Sequence, residues 1–229
     1  MSKLEFRYGA MNSGKSMELM RIAYNYNENN KKVVVIKSQI DTKGNNYLVS
    51  RVGMKRKVDI CLKSNESLFT ENNKNIYLAA DAILVDEAQF MLPFQIDELW
   101  YISKLLDIPV ICFGLKTDFT TNTFPGSKRL LELSDELIEL ETICSCGKKA
   151  RFNARKVNDE YVTEGQQNVI DGSDNVEYVP LCGSCYIEKV LKKDKKSKEK
   201  IEKQTKKHCK YLWFVISLLW LFQIHMTWI

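Results

Sequence analysis

The chain lacks most of what would place it outside the cell or on nucleic acid. Met1-Ser2-Lys3 opens no signal peptide, so the expected setting is a reducing cytoplasm. Seven cysteines, an odd number, do not make a disulfide framework in that compartment. Overall basic excess is missing as well. Residues 189–210 hold eleven Lys against three acids, a local +8, which leaves the other 207 residues at −3. The formal +5 therefore belongs to the tail, and the body carries no nucleic-acid footprint. What is present, 45% apolar residues in 229, suffices for one α/β domain and an appendage.

The most informative stretch is Gly9-Ala10-Met11-Asn12-Ser13-Gly14-Lys15-Ser16, which fits the phosphate-cradling pattern G-x-x-x-x-G-K-[ST]. Leu4, Phe6 and Tyr8 alternate with charged residues ahead of it and predict a short strand. Met17, Leu19, Met20 and Ile22 behind it are spaced for a helix over 17–29. Strand, glycine loop and helix aim backbone N–H groups and a positive helix end at one anion. Lys15 adds a charge for the β- and γ-phosphates, and the Ser16 hydroxyl can reach Mg²⁺.

Val33–Ile36, Ala82–Val85 and Pro109–Phe113 are continuous apolar runs that predict buried parallel strands. The second ends in Asp86-Glu87-Ala88-Gln89, seventy residues after Ser16. Asp86 suits Mg²⁺, directly or through water, and Glu87 suits a proton acceptor. The alternative is an acid-rich helix start, since Gln95–Leu106 also has helical spacing. Ser38–Ser50 predicts a loop, either a lid or plain surface, and Thr120–Lys128 a polar loop. Leu115, Phe119 and Phe124 follow the third strand, where they form an aromatic wall or merely cover the sheet edge. Cys61 and Cys112 lie in apolar runs and predict core positions.

Cys144-Ser145-Cys146 and Cys182-Gly183-Ser184-Cys185 form two pairs with thirty-five residues between them. Four thiolates on two turns suit structural, tetrahedral Zn²⁺; a redox pair is the alternative. A metal there pins both ends of a loop over Gln166–Pro180, which reads as a flap over a pocket or as a nucleic-acid-binding ribbon. The tail from Lys189 is a solvated helix or disordered segment, and Cys209 within it is incidental. Tyr211–Ile229 is apolar, at about 1.5 Å per residue barely long enough for a membrane core. A membrane anchor, a non-native extension and a docked helix all remain open for it.

Taken in order, GAMNSGKS (9–16), SRVGMKRK (50–57), ILVDEAQF (83–90), GLKTDF (114–119), FPGS (124–127), ICSCGKKA (143–150) and YVPLCGSC (178–185) resemble the type II thymidine kinases. These are small zinc-containing P-loop nucleoside kinases, and the resemblance covers residues 3 to about 188. It implies an α/β P-loop NTPase fold, RecA-like, with a mainly parallel sheet flanked by helices. A small zinc-ribbon-like domain with a substrate lasso follows. The implied division is 1–141 for the kinase domain, 142–190 for the zinc and lasso domain, and 191–229 for a tail outside the match. The implied ATP and Mg²⁺ contacts are Gly9, Ala10, Met11, Asn12, Ser13, Gly14, Lys15, Ser16, Asp86, Glu87, Ala88 and Gln89. Glu87 falls on the proton acceptor. Phe119, Val169, Ile170, Asp171, Gly172 and Tyr178 fall on thymidine contacts, largely through the flap's backbone. Cys144, Cys146, Cys182 and Cys185 fall on the zinc ligands. A cytoplasmic homotetramer, inhibition by thymidine triphosphate and no nucleic-acid partner are also implied. Two departures stand out: Ala10 replaces the usual Pro, and Lys43 stands where members often carry Arg.

Two rival readings come from other classes. The DEAQ stretch resembles helicase signatures, but such motors need two nucleotide-binding lobes and this chain has one glycine loop. A membrane-tethered zinc adaptor with a decayed loop conflicts with intact Lys15, Ser16, Asp86 and Glu87.

Overall fold

The computed structural model describes residues 1–39, 46–50, 53–167 and 175–191, together with Thr205. In chain order its strands are β1 (Leu4–Tyr8), β2 (Val33–Ser38), β3 (Tyr47–Val49), β4 (Lys55–Lys57), β5 (Ile60–Leu62), β6 (Ala82–Asp86), β7 (Val110–Gly114), β8 (Glu136–Glu139), β9 (Phe152–Val157), β10 (Glu160–Val162) and β11 (Val176–Leu181). The helices are α1 (Lys15–Glu28), α2 (Glu71–Tyr77), α3 (Pro93–Leu105), α4 (Pro125–Leu133) and α5 (Gly183–Lys189). Met1–Tyr186 form one compact unit and Ile187–Ile229 another; the site lies in the first.

Six strands pair in the order β5-β2-β6-β7-β1-β8, every pair parallel. Alternate residues of one strand serve opposite faces. Val34, Ile36, Ile83, Val85, Val110 and Cys112 join a core with Ile96, Leu99 and Ile102 of α3 and Leu130 of α4. Val33, Val35, Ala82, Leu84, Ile111 and Phe113 join a second core with Leu19, Met20, Ile22 and Ala23 of α1. Both faces are buried, which is why these strands read as unbroken apolar runs. The expected α/β fold with a mainly parallel sheet is therefore present. One placement is invisible in sequence order: β7 lies between β1, which feeds the glycine loop, and β6, which ends at Asp86.

Three expectations need correction. The Ser38–Ser50 segment is not loop throughout, because Tyr47–Val49 pairs antiparallel with Lys55–Lys57 and buries Leu48. The Thr120–Lys128 loop ends early, since Pro125 starts α4; its missing N–H and fixed φ suit a first helical turn. Gln166–Pro180 is partly strand: β11, holding Tyr178, pairs with β9 in a three-stranded antiparallel sheet ordered β10-β9-β11. Cys112 is buried as expected, whereas Cys61 is only half-buried.

Candidate active site

The glycine loop turns β1 into α1. Gly14 at the helix N-cap has φ +77°, a left-handed conformation that glycine adopts without steric cost. It lets the chain enter the helix at Lys15 with the first-turn N–H groups facing the loop. Lys15 Nζ lies back over that loop, donating to the Ala10 carbonyl at 3.0 Å, the Gly9 carbonyl at 3.4 Å and Ser13 Oγ at 3.3 Å. A cavity of about 870 Å³ opens beside it, lined by Ser13, Gly14, Met17, Arg21, Tyr24 and Leu140 among others.

The carboxyl end of β6 meets the start of α1. Ser16 Oγ donates to Asp86 Oδ2 at 3.5 Å, which joins the two halves of the sequence motif. Lys37 stands opposite Asp86 in the β2–β6 register with 1% of its surface exposed. Sequence reading missed this cation because it sits at the end of the apolar run Val33–Ile36. Glu87 leaves the sheet at φ +49°, and the 3-10 turn Ala88–Phe90 follows it. Gln89 is buried and works at both ends: its Nε2 donates to Glu87 Oε2, and its Oε1 accepts the Leu115 N–H at 3.0 Å. The Glu87 side chain is thereby tied to the loop after β7.

That loop forms the far wall. Phe124 packs edge-on against Phe90, with centroids 5.7 Å apart, and Ser127 Oγ donates to the Leu115 carbonyl. Phe119 has 1% of its surface exposed, and the Arg155 guanidinium lies over its ring, 3.7 Å from the centroid. Asn153 spans two loops: its Oδ1 accepts the Met11 N–H at 2.8 Å and its Nδ2 donates to the Thr117 carbonyl at 3.2 Å. Phe90, Asn153 and Arg155 escaped the sequence reading. The one available signal was polar residues two apart in Phe152–Val157, which only a known inward face could have interpreted. Leu115 and Tyr178 are half-buried, Tyr178 on β11. Val169, Ile170, Asp171 and Gly172 lie outside the described residues, as do Lys43, Cys209 and the 211–229 segment. Among the described residues no helix is long and apolar enough to cross a membrane.

The four cysteines converge. Cys144–Gly147 is a tight turn closed by Gly147 N–H to the Cys144 carbonyl at 2.8 Å, while Cys182 and Cys185 flank the start of α5. Their Sγ atoms all lie within 4.8 Å of one another, with Cys146 and Cys182 at 3.5 Å. Zinc–sulfur bonds of about 2.3 Å put tetrahedral sulfurs roughly 3.8 Å apart, so the donor set fits zinc without an open position. Burial raises the Cys144 thiol, but the Cys146 and Cys182 amides outweigh it and bring it down to about 6. Cys185 is pushed up to about 12, chiefly by the Cys146 and Cys182 thiols beside it. Four sulfurs this close cannot all ionise without a cation among them.

Comparisons with known proteins agree with this geometry. The family model described as thymidine kinase matches residues 2–186. A thymidine kinase of Streptococcus thermophilus (strain CNRZ 1066) is 42% identical over 184 residues, covering 80% of this chain and 92% of that protein. One from Chromobacterium violaceum is 43% identical over 188 residues, covering 81% and 98%. Among solved structures, a replication initiator DnaA bound to AMPPCP and single-stranded DNA aligns at 18% identity with TM-score 0.39, covering 62% of this chain and 41% of that one. Its distant likeness says nothing of activity, and the sequence relatives decide the matter. This chain belongs to the thymidine kinase family.

Proposed function

We propose that the protein transfers the γ-phosphoryl group of ATP to the 5′-hydroxyl of thymidine or deoxyuridine, giving the monophosphate for DNA-precursor salvage. The observation that carries this is the Ser16–Asp86 contact, which joins the glycine loop to the acidic end of β6 in a thymidine kinase chain. Phosphoryl transfer asks a protein mainly to position groups and offset charge. The Gly9–Ser16 amides and Lys15 hold the phosphates, and the cavity beside Ser13 and Gly14 has room for the adenosine. Ser16 and Asp86 would hold Mg²⁺, which when bound neutralises charge on the β- and γ-oxygens. Glu87, fixed by Gln89, accepts the hydroxyl proton of the nucleoside.

The nucleoside lies between that end of β6 and the loop after β7. Phe119, Tyr178 and the 169–172 backbone are its contacts on the family resemblance. Cys144, Cys146, Cys182 and Cys185 hold structural Zn²⁺. Residues 142–190 are then the zinc and lasso domain, 1–141 the kinase domain and 191–229 an appendage. A cytoplasmic homotetramer completes the proposal, for which light scattering of the purified chain is the check. The decisive assay incubates the protein with γ-labelled ATP, thymidine and single-stranded DNA. Labelled thymidine monophosphate is expected. Phosphate release that depends on DNA, with no labelled nucleotide, would overturn the kinase reading in favour of an ATPase.

A further inference from the structure

We propose that Arg155 is a positioning residue for the nucleoside, one that locks the Phe119 ring and the Glu164–Gln167 segment into a single unit. The inference rests on the kinase reading above and deepens it. Arg155 lies on β9 with 4% of its surface exposed. Its guanidinium carbon lies over the Phe119 ring, 3.7 Å from the centroid, while Nη1 donates to the Gln166 carbonyl at 2.6 Å and Nη2 to the Glu164 carbonyl at 2.9 Å. Between those two carbonyls sits Gly165, at φ +129°, where an added Cβ would strike Nη2. Glycine at 165 and arginine at 155 are thus one fitted pair.

The next residue extends the unit. Gln167 Nε2 donates to Asp118 Oδ2 at 2.8 Å, and Asp118 Oδ1 in turn accepts from Thr120 N and Asn122 N, both at 2.9 Å. The Phe119 carbonyl accepts from Tyr186 Oη, which secures the same loop from α5. Phe119 is therefore held on its ring by Arg155, on its backbone by Tyr186 and through its neighbour by Gln167.

A purely structural role fits Arg155 poorly. Among the described residues no carboxylate pairs with it, and its buried Nε has no partner. An apolar side chain of similar volume fills such a site at less cost than an unpaired cation. A guanidinium fork reaches two carbonyls on alternate residues while lying over an aromatic ring, and lysine lacks that geometry. The expected consequence is confined to the nucleoside side, because no atom of Arg155 bonds to the glycine loop among the described residues.

The test uses the zinc-loaded full chain and compares wild type with R155M and R155K. Both variants should raise the thymidine KM by about tenfold or more, with the ATP KM held within about twofold. Amide exchange at residues 164–167 should quicken in both. G165A should also raise the thymidine KM, because its Cβ meets Nη2 and because φ +129° strains any side chain there. Unchanged thymidine KM in R155M and R155K overturns the proposal, as does a matching rise in both KM values. If R155M fails to fold, R155K decides; if neither folds, the residue is structural and the proposal falls. A wild-type chain inert towards thymidine removes the kinase reading itself, a result distinct from any difference between variants.

Discussion

Glu87 combines an uncommon backbone with a fixed side chain. A non-glycine residue at φ +49° costs roughly 1–3 kcal/mol, which surrounding structure must offset. The turn redirects the chain after Asp86, so the two acids do not share one face of the strand. Asp86 stays beside Ser16, and Glu87 is delivered to Gln89. Such a division suits one carboxylate for a cation and one for a proton. Changing Glu87→Gln keeps shape and hydrogen bonding but removes the base. It is expected to lower kcat by roughly 10²-fold. Binding of a labelled ATP analogue should stay near wild type, and near-normal turnover would remove Glu87 from the role. Both acids were readable in the sequence; the buried Gln89 linking one of them to Leu115 was not, because amide partners are set by tertiary approach.

Asp135 ties elements together at the opposite end of the sheet. Just before β8, it accepts the Leu4 N–H at 2.7 Å and pairs with Lys104 of α3. Burial raises its pKa, but the Lys104 ammonium and the Leu4 amide outweigh burial and hold it below the ordinary 3.8. A depressed carboxylate contributes its full stability above the unfolded value and loses it as pH falls through the folded one. Acid unfolding should therefore set in below about pH 4, and Asp135→Asn should flatten that limb in a melting series. With 35% of the side chain exposed, solvent screening limits the neutral-pH cost to about 1 kcal/mol. At the scale of elements, β2, β6 and β7 could be read ahead because burial on two faces leaves continuous apolar runs, and β1 because Leu4, Phe6 and Tyr8 alternate with charged residues. Strands of three residues such as β3, β4 and β5 carry no period to detect. In β9 Asn153, Ala154 and Arg155 are all buried, so polar side chains take interior positions and no apolar alternation marks the strand.

The unit Met1–Tyr186 holds a two-faced parallel sheet and a smaller antiparallel sheet whose Asn153 bonds to the loops after β1 and β7. The first was expected from the apolar runs. The small sheet's strand pairing was not, because its few apolar residues depend on partners far along the chain. Removing metal is expected to loosen this second sheet before the first, seen as rapid amide exchange over 152–162 and 176–181 while α3 stays protected. Exchange that rises uniformly would argue against a separable module. One contact ties that module to the glycine loop, the proposed phosphate site: Asn153, two residues from Arg155, accepts the Met11 N–H. Binding energies joined by such a link are reciprocal. Whatever ATP gains from an ordered small sheet, the metal gains from bound ATP. The four sulfurs then serve as a remote gauge of nucleotide occupancy: zinc should escape to a colorimetric chelator several-fold more slowly in the presence of ATP than in its absence.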